Sequence, residues 1–289
     1  AIASIPTRVP DVWVLKRVTA TPTPSPTAIP TSIASATPAP TATPEPIVQP
    51  TTSPAPSPTS PSVGLTINGL PISDFVVFTP ETAAHIRLLY EFGQAFGRDP
   101  HHVSRLGDST IMKPRLLGYF DTEPYELGDY DYLQPVLNHY AGSFDENGLA
   151  TRVGLHAWNI FDPFWADKSW CEPNETLIAC EIRVNQPSVI FIRLGSNDSG
   201  VPDSFEQGVR ELVEFCLAQG VIPIIGTKAD RFEGADNINN EILRQIAADY
   251  DVPLWDYDLV AATLPNRGLD PQDNVHILPT YRPHDFTQE

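Results

Sequence analysis

Hydrophobic and polar positions divide the chain in two. One stretch has no period; in the other, helical and strand periods alternate. Through residues 1–62 the only apolar cluster is Trp13, Val14 and Leu15, and Thr19–Pro61 runs in Thr, Pro, Ser and Ala. From Val63 the pattern changes. Thr79–Arg98 predicts an amphipathic helix, with Thr79 as N-cap and Pro80 at the first helical position. Ala84, Ile86, Leu88, Leu89, Phe92 and Phe96 supply its apolar residues, most of them at helical spacing. His102–Gly107 predicts a short strand ending in Gly-Asp-Ser. Ser188–Leu194 is apolar and β-branched, as a buried strand requires. Asp203–Gln219 predicts a helix closed by Gly220. Val221–Ile225 predicts a strand, weakened by Pro223, which lacks a backbone donor. Asn237–Tyr250 predicts a helix with Asn237 as N-cap, and Pro253–Tyr257 a short strand. Strands alternating with helices predict a parallel sheet covered by helices. Residues 113–170 are aromatic and irregular and give no period.

Composition sharpens the division. Residues 1–62 hold 15 of the 31 prolines and only five charged side chains: Arg8, Asp11, Lys16, Arg17 and Glu45. Proline fixes φ and removes donors, so neither helix nor sheet propagates there, and apolar content is too low to offset ordering entropy. The expectation is an extended, polyproline-II-like arm, 1–62, in front of one globular domain, 63–289. At ~3.1 Å per residue, the ~43 residues of the Pro/Thr tract would reach about 130 Å. Thr and Ser beside Pro is also the composition of O-glycosylated stalks, so glycans on the arm and self-assembly through it stay open beside a bare linker. The chain begins without Met or a charged-then-apolar leader. The expectation is that any export signal was removed or never included.

Net charge is −18, and the arm carries +1 of its own. An acidic domain argues against nucleic acid and anionic membrane as partners, since both are bound by a basic face. No apolar run reaches the roughly 18–20 residues of a membrane span. Of the three cysteines, Cys171 and Cys180 flank a turn-like run, Glu172-Pro173-Asn174-Glu175-Thr176, and are expected to close a local disulfide. An oxidising, extracellular or cell-surface location follows, with two buried thiols as the rival. No further Cys or His sits at ligand spacing, so no zinc or other metal is expected. Cys216 falls on the apolar face of its helix and reads as a core thiol.

Three short signals carry the chemistry. Gly107-Asp108-Ser109-Thr110 ends the first strand, Gly195-Ser196-Asn197-Asp198 follows the best strand, and Asp273-Asn274-Val275-His276 lies near the C-terminus. The carboxyl edge of a parallel sheet is where sites form, and the first two follow strands that end there. A serine hydroxyl is a poor nucleophile until a histidine takes its proton. The histidine in turn needs a carboxylate to fix its tautomer. Asp273 and His276 are three residues apart, so one turn presents both. Asn197 offers an amide donor for a tetrahedral oxyanion.

On these residues the chain resembles the SGNH (GDSL-type) hydrolase superfamily over roughly residues 80–280. Ser109 matches the nucleophile of its first block, Asn197 in Gly-x-Asn-Asp its third, and His276 with Asp273 in Asp-x-x-His its last. The resemblance implies a three-layer α/β/α domain with a flavodoxin-like parallel sheet of about five strands. It also implies an ester hydrolase that works without a metal or other cofactor. Thr110 stands where the eponymous motif has Leu. The glycine block has two candidates for its backbone donor, Gly154 (in Arg152-Val153-Gly154-Leu155-His156) and its rival Gly142 (in Tyr140-Ala141-Gly142-Ser143-Phe144). Only 13 residues follow His276, where the fold usually adds a final helix.

Ordinary roles stand beside these. Ser109 is a candidate helix cap; Asp108 and Asp198 suit loop-to-helix ties. His101 and His102 start a strand and read as surface residues, and His156 reads as a packed histidine near the cleft. His85, His139 and His284 have no partner visible in sequence. Gly128-Asp129-Tyr130-Asp131-Tyr132 reads as a solvated turn rather than a sugar or Ca²⁺ site, and Asn174-Glu175-Thr176 is a glycosylation sequon where the host reads it. The expected function is a secreted esterase acting on small acyl or acetylated polysaccharide esters. The alternatives are a surface or fibre protein on the same fold with incidental or lost activity, and an acyltransferase.

Overall fold

The computed structural model describes residues 65–112, 116–145, 148–278, 282 and 284–287. The arm, 1–62, lies outside the described residues, and with it the expectations about its extension, glycans and self-assembly. The chain opens with β1 (Thr66–Ile67), β2 (Leu70–Pro71), α1 (Ile72–Phe75) and β3 (Val76–Val77). Next come α2 (Pro80–Ala95), β4 (Asp99–Gly107), α3 (Tyr119–Thr122) and α4 (Gln134–His139). The alternating half is α5 (Leu177–Asn185), β5 (Pro187–Arg193), α6 (Pro202–Ala218), β6 (Ile222–Gly226), α7 (Ile238–Asp249), β7 (Leu254–Trp255) and α8 (Tyr257–Ala262).

The main sheet has the order β3-β7-β6-β5-β4. β4 to β7 are parallel; β3 is antiparallel to β7, so the expected all-parallel sheet carries one antiparallel edge. On the free side of β4, Thr151 bridges Gly107 in parallel, with Gly107 N–H donating to Ala150 O (3.3 Å) and Arg152 N–H to Gly107 O (3.0 Å). Counting that segment as the second strand in chain order, the parallel part runs 2-1-3-4-5. This is the flavodoxin-like order, with its switch point between β4 and β5. Helices flank the sheet, giving the α/β class expected.

Local chemistry explains the elements. Thr79 Oγ1 accepts from Thr82 N–H at 3.1 Å, so α2 begins where its cap and proline set it. Asn237 makes no such cap: its φ is +52° and its amide donates to Asp258 Oδ2. Pro223 sits within β6, flanked on both sides in the sheet, yet breaks no ladder. Ile225 and Thr227 donate to Pro253 O and Trp255 O, so Pro223 faces the same side two residues earlier, before β7 begins. The missing donor therefore falls where no acceptor strand lies. Gly107 is required by space: a Cβ there would stand 2.1 Å from Arg193 O. That contact lets β4 close on β5 and sets Asp108 and Ser109 on the sheet's edge.

The core lies between the sheet and α6, where Ile190, Ile192, Phe205, Val209 and Leu212 are sealed from solvent. Cys216 belongs to it, and burial pushes its thiol up to about 12. Cys171 and Cys180 are joined as a disulfide across 9 residues. The bridge packs with Ala166, Leu149 and Val184, tying the irregular middle of the chain to α5. Closing so short a loop restrains the unfolded chain by about 2.5–3 kcal/mol. For a domain of this size that is about 5–10 °C in Tm. Replacing both cysteines by alanine is expected to lower the calorimetric Tm by that amount; an unchanged Tm would show the bridge to be energetically idle.

Candidate active site

Ser109 stands two residues past the end of β4, in a run of turns rather than at the start of a helix, so it caps nothing among the described residues. The preceding Asp108 is 1% exposed and folds back, its Oδ1 accepting Thr110 N–H at 2.8 Å. This leaves Ser109 half-buried, facing the C-terminal loop.

That loop is built to hold a histidine. Leu269 and Ile277 form an antiparallel bridge, Asp270 N–H donates to His276 O (2.8 Å), and Leu278 N–H donates to Gly268 O (2.8 Å). Its root is clamped by Arg267, whose Nε donates to Ala229 O at 2.6 Å and whose guanidinium pairs with Asp258. Asp258 also takes Arg231, Arg244 and the Asn237 amide, so the loop hangs from a network of three arginines on one carboxylate. The chain's last described residues form no helix. His284 O accepts from Glu126 N–H and Phe286 N–H donates to Glu126 O, adding a short parallel bridge instead.

Within the loop, Asp273 Oδ1 accepts the N–H groups of Val275 (2.9 Å) and His276 (3.0 Å). Its Oδ2 lies 2.7 Å from His276 Nδ1, and His276 Nε2 lies 2.9 Å from Ser109 Oγ. A carboxylate only accepts, so the Asp273 contact places the proton on Nδ1 and leaves Nε2 to accept from the serine. The His276 side-chain bond, then the two backbone bonds, hold Asp273 well below the usual carboxylate range.

The switch point supplies the facing wall. Asn197 Nδ2 donates to Asp108 Oδ2 and to Leu155 O, each at 3.1 Å, so both its hydrogens have protein acceptors. To serve an oxyanion, the amide must turn away from one of them; apo contacts of this kind often rearrange in the Michaelis complex. Gly154 follows the Ala150–Arg152 segment, and its N–H, like that of Ser109, has no acceptor among the described residues. Gly142 N–H instead donates to Asp121 Oδ1 at 2.8 Å. The Gly154 loop is steadied from beneath by the fully buried Glu181. Its Oε1 accepts from Ser104 Oγ and Asn185 Nδ2, and its Oε2 from Leu149 and Ala150 N–H.

Charge is buried behind the serine. Burial raises the Asp108 carboxyl, with Asp230 adding to the rise while Thr110 N–H and the Arg193 charge oppose it. Asp198 is also raised, by burial first, against the Ala157 N–H and the His156 ring. Arg193, 2% exposed, lies over the Tyr257 and Trp255 rings at 4.9 and 5.8 Å, and burial lowers its pKa. Lys228, also buried, bonds Asp230 and Glu233, and Ser196 Oγ donates to Asp230 at 2.6 Å. These groups brace the turns at the sheet edge. His101 and His102 lie at the far end of β4, and His85 reaches Asp251 O. Gly128-Asp129-Tyr130-Asp131-Tyr132 forms part of a 3-10 turn.

No family model and no curated protein matches the chain. Among solved structures it is similar to a protein of Slackia heliotrinireducens assigned to the SGNH hydrolases, at 18% identity and TM-score 0.43, covering 62% of this chain and 91% of that one. It is similar to a catalytic mutant of an acetylxylan esterase of Geobacillus stearothermophilus, at 16% identity and TM-score 0.41, covering 65% and 90%. A third similarity is to a G-D-S-L family protein of Desulfitobacterium hafniense DCB-2, assigned as lipolytic, at 15% identity and TM-score 0.39, covering 60% and 88%. Likeness at this level leaves the reading of the site to its own geometry.

Proposed function

We propose that the chain is a serine ester hydrolase of the SGNH type. The observation that carries the reading is the unbroken Ser109–His276–Asp273 chain of hydrogen bonds, 2.9 and 2.7 Å, at the carboxyl edge of the sheet. Ser109 Oγ attacks the ester carbonyl as His276 Nε2 takes its proton. Asp273 holds the ring's tautomer and stabilises the cation that forms. The oxyanion is met by the Ser109 and Gly154 amides and by Asn197, once its amide turns from Leu155 or Asp108. Collapse breaks the ester C–O bond, and the imidazolium returns its proton to the leaving alcohol. Water, deprotonated by His276, then attacks the acyl-enzyme and releases the acid.

The substrates are small acyl esters, with acetylated carbohydrate the favoured class, and the location is extracellular or at a cell surface. The Cys171–Cys180 disulfide and the Pro/Thr composition of the arm support the location. The alternative, a surface protein with retired chemistry, is disfavoured by the serine–histidine contact, which such a role would not maintain. The test is reaction of the whole chain with a fluorophosphonate probe, together with hydrolysis of p-nitrophenyl acetate. Expected are one adduct, mapped to Ser109 by peptide mass spectrometry, and loss of hydrolysis in proportion to labelling. An unlabelled Ser109 in a folded, inert protein would sink the reading.

A further inference from the structure

The loop that carries Gly154 continues into a 3-10 turn, Ala157–Asn159. On that turn the Trp158 indole is 45% exposed, although most of what surrounds it is fixed. One face stacks on His156, ring centroids 4.1 Å apart and planes 15° from parallel. With the Asn159 carboxamide turned so that its oxygen faces the indoles, that oxygen accepts from Trp158 Nε1 (3.3 Å) and Trp165 Nε1 (3.0 Å). Ala157 is pressed against α6, where a Cβ on Gly208 would lie 2.8 Å from its backbone. Asp198 Oδ1 accepts Ala157 N–H at 3.2 Å and lies 3.4 Å from His156 Nδ1, while Asn197 holds Leu155 O. The indole is thus a fixed plate four residues beyond Gly154, on the segment whose Leu155 carbonyl is held by Asn197, which also bonds Asp108 beside the serine. Its N–H is tied down, one face is covered, and much of the ring remains in water.

We infer that Trp158 is a subsite for a neutral pyranose ring of the esterified substrate. The inference rests on the esterase reading and names its substrate class. A plate whose N–H is engaged offers a ligand only its face, so the ligand must present a flat apolar surface. The negative face of an aromatic ring favours the polarised C–H bonds on one side of a sugar. A sugar also keeps its hydroxyl rim hydrated, which suits a plate without walls. An alkyl chain laid on the same plate leaves half its surface wet and gains little. The charge of −18 excludes little that is neutral and repels uronate, sulfated and phosphorylated glycans.

Two measurements on the whole chain test this. The first compares acetylated xylotetraose with p-nitrophenyl acetate as substrates of the wild type, Trp158→Ala and Trp158→Phe. Expected for Trp158→Ala is a fall of about tenfold in the ratio of the two kcat/KM values, carried by KM for the sugar ester. Trp158→Phe, which keeps a ring, recovers most of it. The second is binding of xylotetraose, cellotetraose and mannotetraose to Ser109→Ala and to Ser109→Ala/Trp158→Ala by calorimetry. Expected is Trp158-dependent binding of at least one. An equal loss on both substrates, a loss confined to longer p-nitrophenyl acyl esters, or no sugar binding would overturn the subsite. Sugar binding that needs Trp158 in a chain inert toward every ester would keep the subsite and overturn the esterase.

Discussion

Ser109→Ala is expected to lower p-nitrophenyl acetate turnover by about 10⁴-fold or more, the scale on which removal of an activated nucleophile acts. Only the reacting atom is lost. Ser109 Oγ has one hydrogen bond among the described residues, to His276, so its removal leaves no buried donor or acceptor stranded in the core. His276 stays clamped by Asp273 and by the backbone bond that Asp270 N–H donates to its carbonyl. Stability is therefore expected to change by less than about 0.5 kcal/mol, as for substitutions away from packed or charged networks. The pairing of a large kinetic loss with an unmoved Tm separates a catalytic serine from a structural one. Steady-state assays beside a thermal melt read both. A mutant that keeps a tenth of the wild-type rate would mean that another group attacks the ester.

The parts legible in the sequence are those where local chemistry and tertiary demand agree. α2 has its cap, its first-turn proline and its period; β5 has an apolar run rich in β-branched residues; α6 ends before a glycine whose φ is +68°. Less was legible where one or two backbone bonds make an element. The segment that completes the 2-1-3-4-5 order is a single bridge at Thr151, too short for any period. The antiparallel edge β3 is two residues long. The β1–β2 hairpin did carry a signal, Asn68-Gly69, both at positive φ as a two-residue turn demands. Asn237 shows the limit of a local rule: as a cap it would satisfy one N–H, but Asp258 and Asn240 draw its amide into the arginine network instead.

The candidate site divides the same way. Ser109, Asn197, Asp273 and His276 were visible because their motifs are contiguous. The sequence alone does not show that Asp121 takes the Gly142 amide, the contact that favours Gly154 as the candidate donor. Glu181, Arg193, Arg267 and Trp158 had no motif at all. Glu181 reaches Ser104 77 residues away, Arg267 reaches Ala229 38 residues away, and Arg193 and Trp158 make ring contacts; sequence spacing records none of these.

Asp273→Asn is expected to lower kcat by about 10⁴-fold while leaving the fold intact. The loop decides how the amide sits. Asp273 Oδ1 accepts two backbone N–H groups, of Val275 and His276, and only the oxygen of an asparagine can replace it there. The NH₂ group then faces His276 Nδ1, which must become the acceptor. The ring proton moves to Nε2 and points at Ser109 Oγ, the one place where the mechanism needs a lone pair. The serine keeps its neighbour and loses its base. The pH dependence follows with a definite sign. Asp273 has a folded pKa held below its unfolded value, so its favourable contribution is present above the unfolded pKa and fades only as pH falls through the depressed one. From neutrality down through the ordinary carboxylate range Asp273 stays ionised, so the acid loss of wild-type rate is not set by Asp273. In Asp273→Asn the rate should already be low at neutral pH, with the melt little changed because solvent screens the contribution of so exposed a carboxylate. A variant within tenfold of wild type would mean that Asp273 merely shapes the loop and that some other group sets the tautomer of His276.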